Sequence, residues 1–255
     1  MNNEVIVLVG DKFENFATLQ QGVKTYSMLQ LVVQSDQIPE HGIVVGQGVD
    51  LQRLRETIRL SGREGFRVEP EGVADCHHDE AHRQLAHKQY GHNVLVTSPE
   101  RIDEISFGAK LQIHDDCAEL ADHVTGQHIQ GMVFVEAARQ LMLCVTEKYV
   151  LDEPARLSSY FVLNEMRTTF LAFAFPIETG CIFTLTDYKR KTNGPIKASC
   201  VSEFSQAGQV VARVEIDFAA YPKSQLLHKE HELATAALAR YRNMQVAERS
   251  AAEAA

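Results

Sequence analysis

The chain has 255 residues, 45% of them hydrophobic and 23% charged, which is the make-up of an ordinary globular protein long enough to bury a sizeable core. A net charge of −9 argues against a nucleic-acid partner gripped by a broad basic surface, and no apolar run is long enough to span a bilayer. The opening Met1-Asn2-Asn3-Glu4 lacks the basic and apolar regions of a signal peptide, which predicts a cytoplasmic protein without membrane association. The five cysteines (Cys76, Cys117, Cys144, Cys181, Cys200) are odd in number and lack C-x-x-C spacing, so reduced thiols are predicted rather than a disulfide framework.

The first part reads as α/β. Val5 to Val9 is a short apolar run ending at Gly10-Asp11, as a buried strand would, and Leu29 to Val33 and Ile43 to Val45 repeat the pattern. Between the last two, residues 36–42 read as a turn. Asp50 stands as an N-cap before Leu51, Leu54, Ile58 and Leu60, with Gly62 as a stop signal and Phe66 to Val68 as a further strand. The V-G-Q-G-V-D text from Val45 lacks the third glycine of a dinucleotide-binding fingerprint, so its glycines are assigned to a turn. Residues 70–90 are polar and rich in His and acid, and read as a solvated linker holding one helix, D-E-A-H-R-Q-L-A-H. Cys76, His77, His78 and His82 are conceivable metal ligands there, but no second ligand pair follows, and no metal or cofactor is predicted.

From residue 93 the order is strand, helix, then several strands. Phe107, Ala109, Leu111 and Ile113 alternate with polar residues as in a half-buried strand. A helix over about 131–148 has no obvious solvent face, since Val133, Phe134, Val135, Ala137, Ala138 and Leu141 to Val145 surround it. Strands follow at Ser158 to Phe175, stopped by Pro176, at Cys181 to Lys191, at Ile196 to Phe204 and at Val210 to Phe218, with Asn193-Gly194-Pro195 and Ala207-Gly208 as turns. One buried helix wrapped by such a sheet is an α+β architecture. The Ala/Glu/Arg-rich tail from about Leu226 is expected to be helical and frayed after Arg249.

The helix carries three polar residues that its surroundings make costly. Glu136, Arg139 and Gln140 are spaced i, i+3 and i+4, so they share one side of it. Glu136 and Arg139 would pair, either as a buried structural ion pair or as part of an active site. Burial raises a carboxyl pKa and a neighbouring guanidinium lowers it; which effect wins is not readable from sequence. Upstream, His123 and His128 lie in the loop that leads to the helix start, where backbone N–H groups lack partners. Each histidine suits a structural hydrogen bond as well as catalysis. Gly131 would permit close approach of a ligand.

The run from Asp122 to Gln140, D-H-V-T-G-Q-H-I-Q-G-M-V-F-V-E-A-A-R-Q, closely resembles the signature of the A-factor biosynthesis hotdog family, the γ-butyrolactone autoinducer synthases and their relatives. H-K-Q-Y-G-H-N-V-L-V-T from His87 resembles that family's domain opening, and F-A-F-P-I-E from Phe173 its strand after the helix. The resemblance covers about residues 85–222. It implies a C-terminal hotdog fold (an antiparallel sheet around one long central helix), beside a smaller α/β domain of unassigned role in residues 1–80 and a tail over residues 223–255. A weaker kinship to hydroxyacyl-ACP dehydratases would set His123, Gly131 and Glu136 in comparable places, but the loop is one residue shorter and Gln130 replaces a proline.

The resemblance further implies catalytic roles for Glu136 and Arg139, with His123 and His128 beside them, and substrate-binding roles for Gly126, Gln127, Gly131 and Gln140. The implied reaction moves a β-ketoacyl group from an acyl carrier protein or CoA thioester to a hydroxyl of dihydroxyacetone phosphate or a similar small alcohol, toward a butyrolactone- or butenolide-type signal or secondary metabolite. The alternatives are a dehydratase or thioesterase on the same fold, or a non-catalytic acyl-binding scaffold. The basic run Lys189-Arg190-Lys191 would attract an acidic carrier protein or serve only as a solvated strand end. Family members often carry two hotdog domains in tandem. This chain shows one, which implies a homodimer.

Overall fold

The computed structural model describes residues 6–34, 42–61, 68–69, 76–122, 124–190 and 195–253. A small parallel sheet opens the chain. It is built from β1 (Ile6–Val9), β2 (Val23–Thr25), β3 (Ile43–Val45) and β4 (Val68–Glu69) in the order β2-β1-β3-β4, with α1 (Glu14–Leu19), α2 (Tyr26–Gln34) and α3 (Leu51–Leu60) as its helices. Asp50 caps α3 as its position predicts, its side chain accepting from the N–H groups of Gln52 and Arg53.

The expected strand at Leu29 to Val33 is corrected: these residues belong to α2. A five-residue apolar run does not distinguish strand from buried helix, and here Tyr26 and Leu29, three apart, face the core while Thr25 Oγ1 accepts from Met28 N–H at the helix start. The turn at 36–41, Gly62 and Phe66 fall outside the described residues. The Val45–Asp50 glycines serve packing. A Cβ on Gly10 would meet the Gly48 carbonyl oxygen at 2.0 Å, so the two loops close on each other.

The larger sheet contains β5 (Glu100–Arg101), β6 (Ser106–Lys110), β7 (Ser159–Phe170), β8 (Gly180–Arg190), β9 (Ile196–Gln206) and β10 (Gln209–Pro222) in the antiparallel order β5-β6-β8-β9-β10-β7. Helix α5 (Gly131–Val145) packs across β8, β9 and β10, with the Phe134 ring edge-on to Phe204 at 5.1 Å. This is the α+β hotdog arrangement, with a parallel sheet added at the N-terminus. At its far end α5 continues into a π-helical turn, Thr146–Val150. Helix α6 (Lys223–Glu253) ends the chain and stays helical past Arg249, where the sequence predicted fraying.

The two sheets share a core. Val9, Phe13, Phe16, Ala17 and Val23 belong to the same buried cluster as Val133, Phe134, Leu141 and the β8–β10 side chains. Gln47, itself buried, donates to the Leu111 and Ile177 carbonyls and accepts from Ile113 N–H, bonding the N-terminal sheet to the hotdog sheet. The solvated-linker reading of residues 70–90 is likewise corrected from residue 76 onward. Cys76, His77, His82 and Ala86 are buried, and α4 (Glu80–Leu85), capped by Asp79, lies against α5. Histidine-rich text reads as solvated, yet His82 Nε2 bonds to the Val96 carbonyl and His77 Nε2 to that of Gln112, while His82 Nδ1 is buried without a hydrogen-bond partner. All five cysteines are buried thiols and none is in a disulfide.

Candidate active site

Helix α5 presents two unlike sides. Gly131 and Phe134 face a cavity of about 510 Å³, closed otherwise by His128, Ile129, the Phe170–Ala174 segment and Val211. Glu136 is two residues beyond Phe134, which on a 3.6-residue turn places it on the opposite side of the helix. A Cβ on Gly131 would meet the Phe170 ring at 2.6 Å, so any side chain there would push that exposed ring aside. The Gln130 side chain donates back to the Glu119 carbonyl and does not cap α5, so the first N–H groups of the helix start uncapped beside the cavity.

On the other side Arg139 closes a two-pronged pair with Glu136: Nε donates to Oε2 at 2.7 Å and Nη2 to Oε1 at 2.8 Å. Lys88 Nζ lies 2.7 Å from Oε1 and Gln140 Nε2 3.0 Å from the same oxygen. Glu119 faces Lys88 at 3.6 Å and accepts from the Cys117 thiol. The cluster is half-buried, with Glu136 17% and Arg139 29% exposed. Burial pushes the Glu136 carboxyl up, but the bonds from Arg139, Lys88 and Gln140 outweigh it and hold the pKa at about 2. Arg139 is raised in turn by its bond to Glu136. The balance that the sequence left open is therefore settled in favour of the pairing.

The other expected site residues separate. His128 lies at the cavity, its ring edge-on to Phe173 at 5.3 Å. His123 falls outside the described residues. Gly126 is buried with φ +59 against Lys12 and Asn15 of the N-terminal part, at the junction with that part. Gln127 is half-buried in the same loop. Gln140 is fully buried and its amide is engaged by the Asn93 carbonyl, Leu95 N–H and Glu136, so it orients the carboxylate. Lys88 and Glu119 are the members that sequence reasoning missed. The i, i+3, i+4 rule finds partners on one helix, and these come from other segments of the chain.

Among the described residues no group of three or more His, Cys, Asp or Glu is arranged to hold a metal ion, and His78 lies outside α4, which removes the i, i+4 spacing with His82. Lys189 pairs with Asp187 at 3.0 Å on the surface.

The model of the A-factor biosynthesis hotdog domain matches residues 73–222. The chain belongs to the A-factor biosynthesis hotdog family. The matched span includes residues 76–82, of which Cys76, His77 and His82 are buried, as well as the six-stranded sheet and α5. No curated protein matches the chain. Similar solved structures include a conserved protein from Pseudomonas aeruginosa, 15% identical over 54% of this chain and 98% of that one, with a TM-score of 0.39. A mutant thioesterase from Pseudomonas aeruginosa is 15% identical over 60% of this chain and 97% of that one, with a TM-score of 0.42. A hypothetical thioesterase from Streptococcus pneumoniae, solved with coenzyme A, is 10% identical over 48% of this chain and 86% of that one, with a TM-score of 0.33. No described helix is long and apolar enough to cross a membrane.

Proposed function

We propose that the chain is an acyltransferase that moves a β-ketoacyl group from an acyl carrier protein or CoA thioester to a hydroxyl of a small phosphorylated alcohol such as dihydroxyacetone phosphate. The observation that carries this reading is the Glu136–Arg139 pair, two-pronged, partly exposed and standing on a largely buried helix of this family. The acceptor's phosphate takes the planar fork of Arg139, and Glu136 accepts the proton of the acceptor hydroxyl. The hydroxyl oxygen attacks the thioester carbonyl carbon, and the uncapped N–H groups at the start of α5 stabilise the oxyanion. Collapse breaks the C–S bond, and the thiolate leaves with the proton from Glu136, giving ester and free thiol.

A carboxylate held at about 2 is a weak base, and this reading accounts for it. Binding of the phosphate to Arg139 withdraws Glu136's strongest partner, so its basicity rises only when the acceptor is present. The acyl chain has the apolar cavity beside His128 and Phe134 as its place. That cavity and Glu136 lie on opposite sides of α5, which favours a site shared between two copies. β7 is a twelve-residue edge strand bonded only to β10 on one side, and Phe170, Leu171 and Phe173 at its end are exposed. Pairing of two copies along β7 would cover that edge and the cavity wall.

Free-thiol release from a β-ketoacyl thioester, with and without dihydroxyacetone phosphate, tests the reaction. Transfer requires the acceptor; release without it is thioesterase action, and no release under either condition is a binding role. The same preparation should scatter light as a dimer, and a fully active monomer would contradict the shared site.

A further inference from the structure

Lys88 is placed by more than its own flexible side chain. His87, just before it, ends α4 in the left-handed region at φ 53, with His87 N–H bonded to the Gln84 carbonyl and Lys88 N–H to that of Arg83. Helices usually place glycine there, because a Cβ is strained in that conformation. The side chain at this position has a use: His87 Nε2 lies 3.0 Å from Glu147 Oε1, and its ring stands edge-on to Phe161. Glu147 is 0% exposed, inside the π-helical turn, and its other oxygen accepts from Leu157 N–H at 2.7 Å. Leu157 is also left-handed, at φ 55. One buried carboxylate thus pins two strained residues, and one of them directly precedes Lys88.

We propose that Lys88 is a positioning residue for the acyl transfer, holding Glu136 in place while Arg139 turns to the acceptor's phosphate, from a backbone that the Glu147–His87 pair sets. The proposal rests on the transferase reading. In the free protein both prongs of Arg139 are engaged by Glu136, so a phosphate must compete for them. Lys88 and Gln140 both bond Oε1, whereas Oε2 is held by Arg139 Nε. Once Arg139 leaves, Lys88 and Gln140 keep the carboxylate aimed through Oε1, and Oε2 is open to take the proton.

The test compares the full-length wild type with Lys88→Met and Lys88→Arg. In Lys88→Met, kcat should fall about tenfold and the acid limb of its pH profile should move up by about one pH unit, because one cation facing Glu136 is gone. The acceptor KM should change by less than roughly twofold, and Lys88→Arg should restore most of kcat. A raised acceptor KM at unchanged kcat would make Lys88 a phosphate ligand and overturn the proposal, as would an unmoved acid limb. Melting across pH gives a readout independent of the reaction. Glu136 is depressed from about 4.5 to about 2 on folding, so its stabilisation is present above about 4.5 and fades as pH falls toward 2. The melting gap between wild type and Lys88→Met should close over the same range; a gap that persists into acid overturns the Lys88–Glu136 link. A chain lacking acceptor-dependent transfer overturns the reaction, while the melting comparison still decides whether Lys88 holds Glu136.

Discussion

Glu136 and Glu147 lie about three turns apart on one continuous helix, and both carboxyl groups are held largely or wholly away from bulk water. Glu136 is bonded by long cationic side chains and keeps 17% of its side chain exposed, so its partners can exchange for a ligand. Glu147 is fully buried and bonds the Leu157 N–H and the His87 ring, so its oxygens are out of reach of an outside ligand. The two ends teach that the kind of partner, more than charge or burial, separates a carboxylate available for chemistry from one committed to structure.

Removing each carboxylate should sharpen that contrast. Glu147→Ala leaves His87 and the Leu157 N–H without their buried partner and should cost about 3–5 kcal/mol in urea unfolding. Glu136→Ala, where 17% of the side chain reaches solvent and the freed Arg139 and Lys88 can turn outward, should cost less, about 1–3 kcal/mol. Equal losses would erase the distinction. A smaller effect is expected on the cavity side of the helix. In Gly131→Ala the added methyl meets the Phe170 ring, which is exposed and swings aside at about 1 kcal/mol. The narrowed cavity should shift turnover toward shorter acyl chains; an unchanged chain-length profile would remove this cavity from substrate binding.

Much of the architecture was legible because it is written in local patterns. The apolar run from Val133 to Val145 announces a buried helix, Asp50 announces the start of α3, and the alternation in β9 and β10 announces their faces. Glu136 and Arg139 were legible because i, i+3 spacing joins them on one helix. Lys88 was not, since it reaches Glu136 from a segment far away in sequence, and Glu147 carries no local sign that its charge points inward. Leu29 to Val33 failed because a short apolar run suits both strand and helix. The Cys76–His82 segment failed because histidine-rich text reads as solvated, whereas packing against Val94 and Cys144 buries part of it.

The central claim is that Glu136 serves the reaction rather than the fold. The most direct measurement is acceptor-dependent thiol release by Glu136→Gln beside its melting temperature, since Gln keeps the shape and loses the base. Transfer should fall by about a hundredfold or more, far beyond any loss of folded protein, and the melt should fall only by the lost ion pairing, a gap that closes as pH falls toward 2. Transfer near the wild-type rate with a clearly lowered melt would show a structural ion pair and contradict the account.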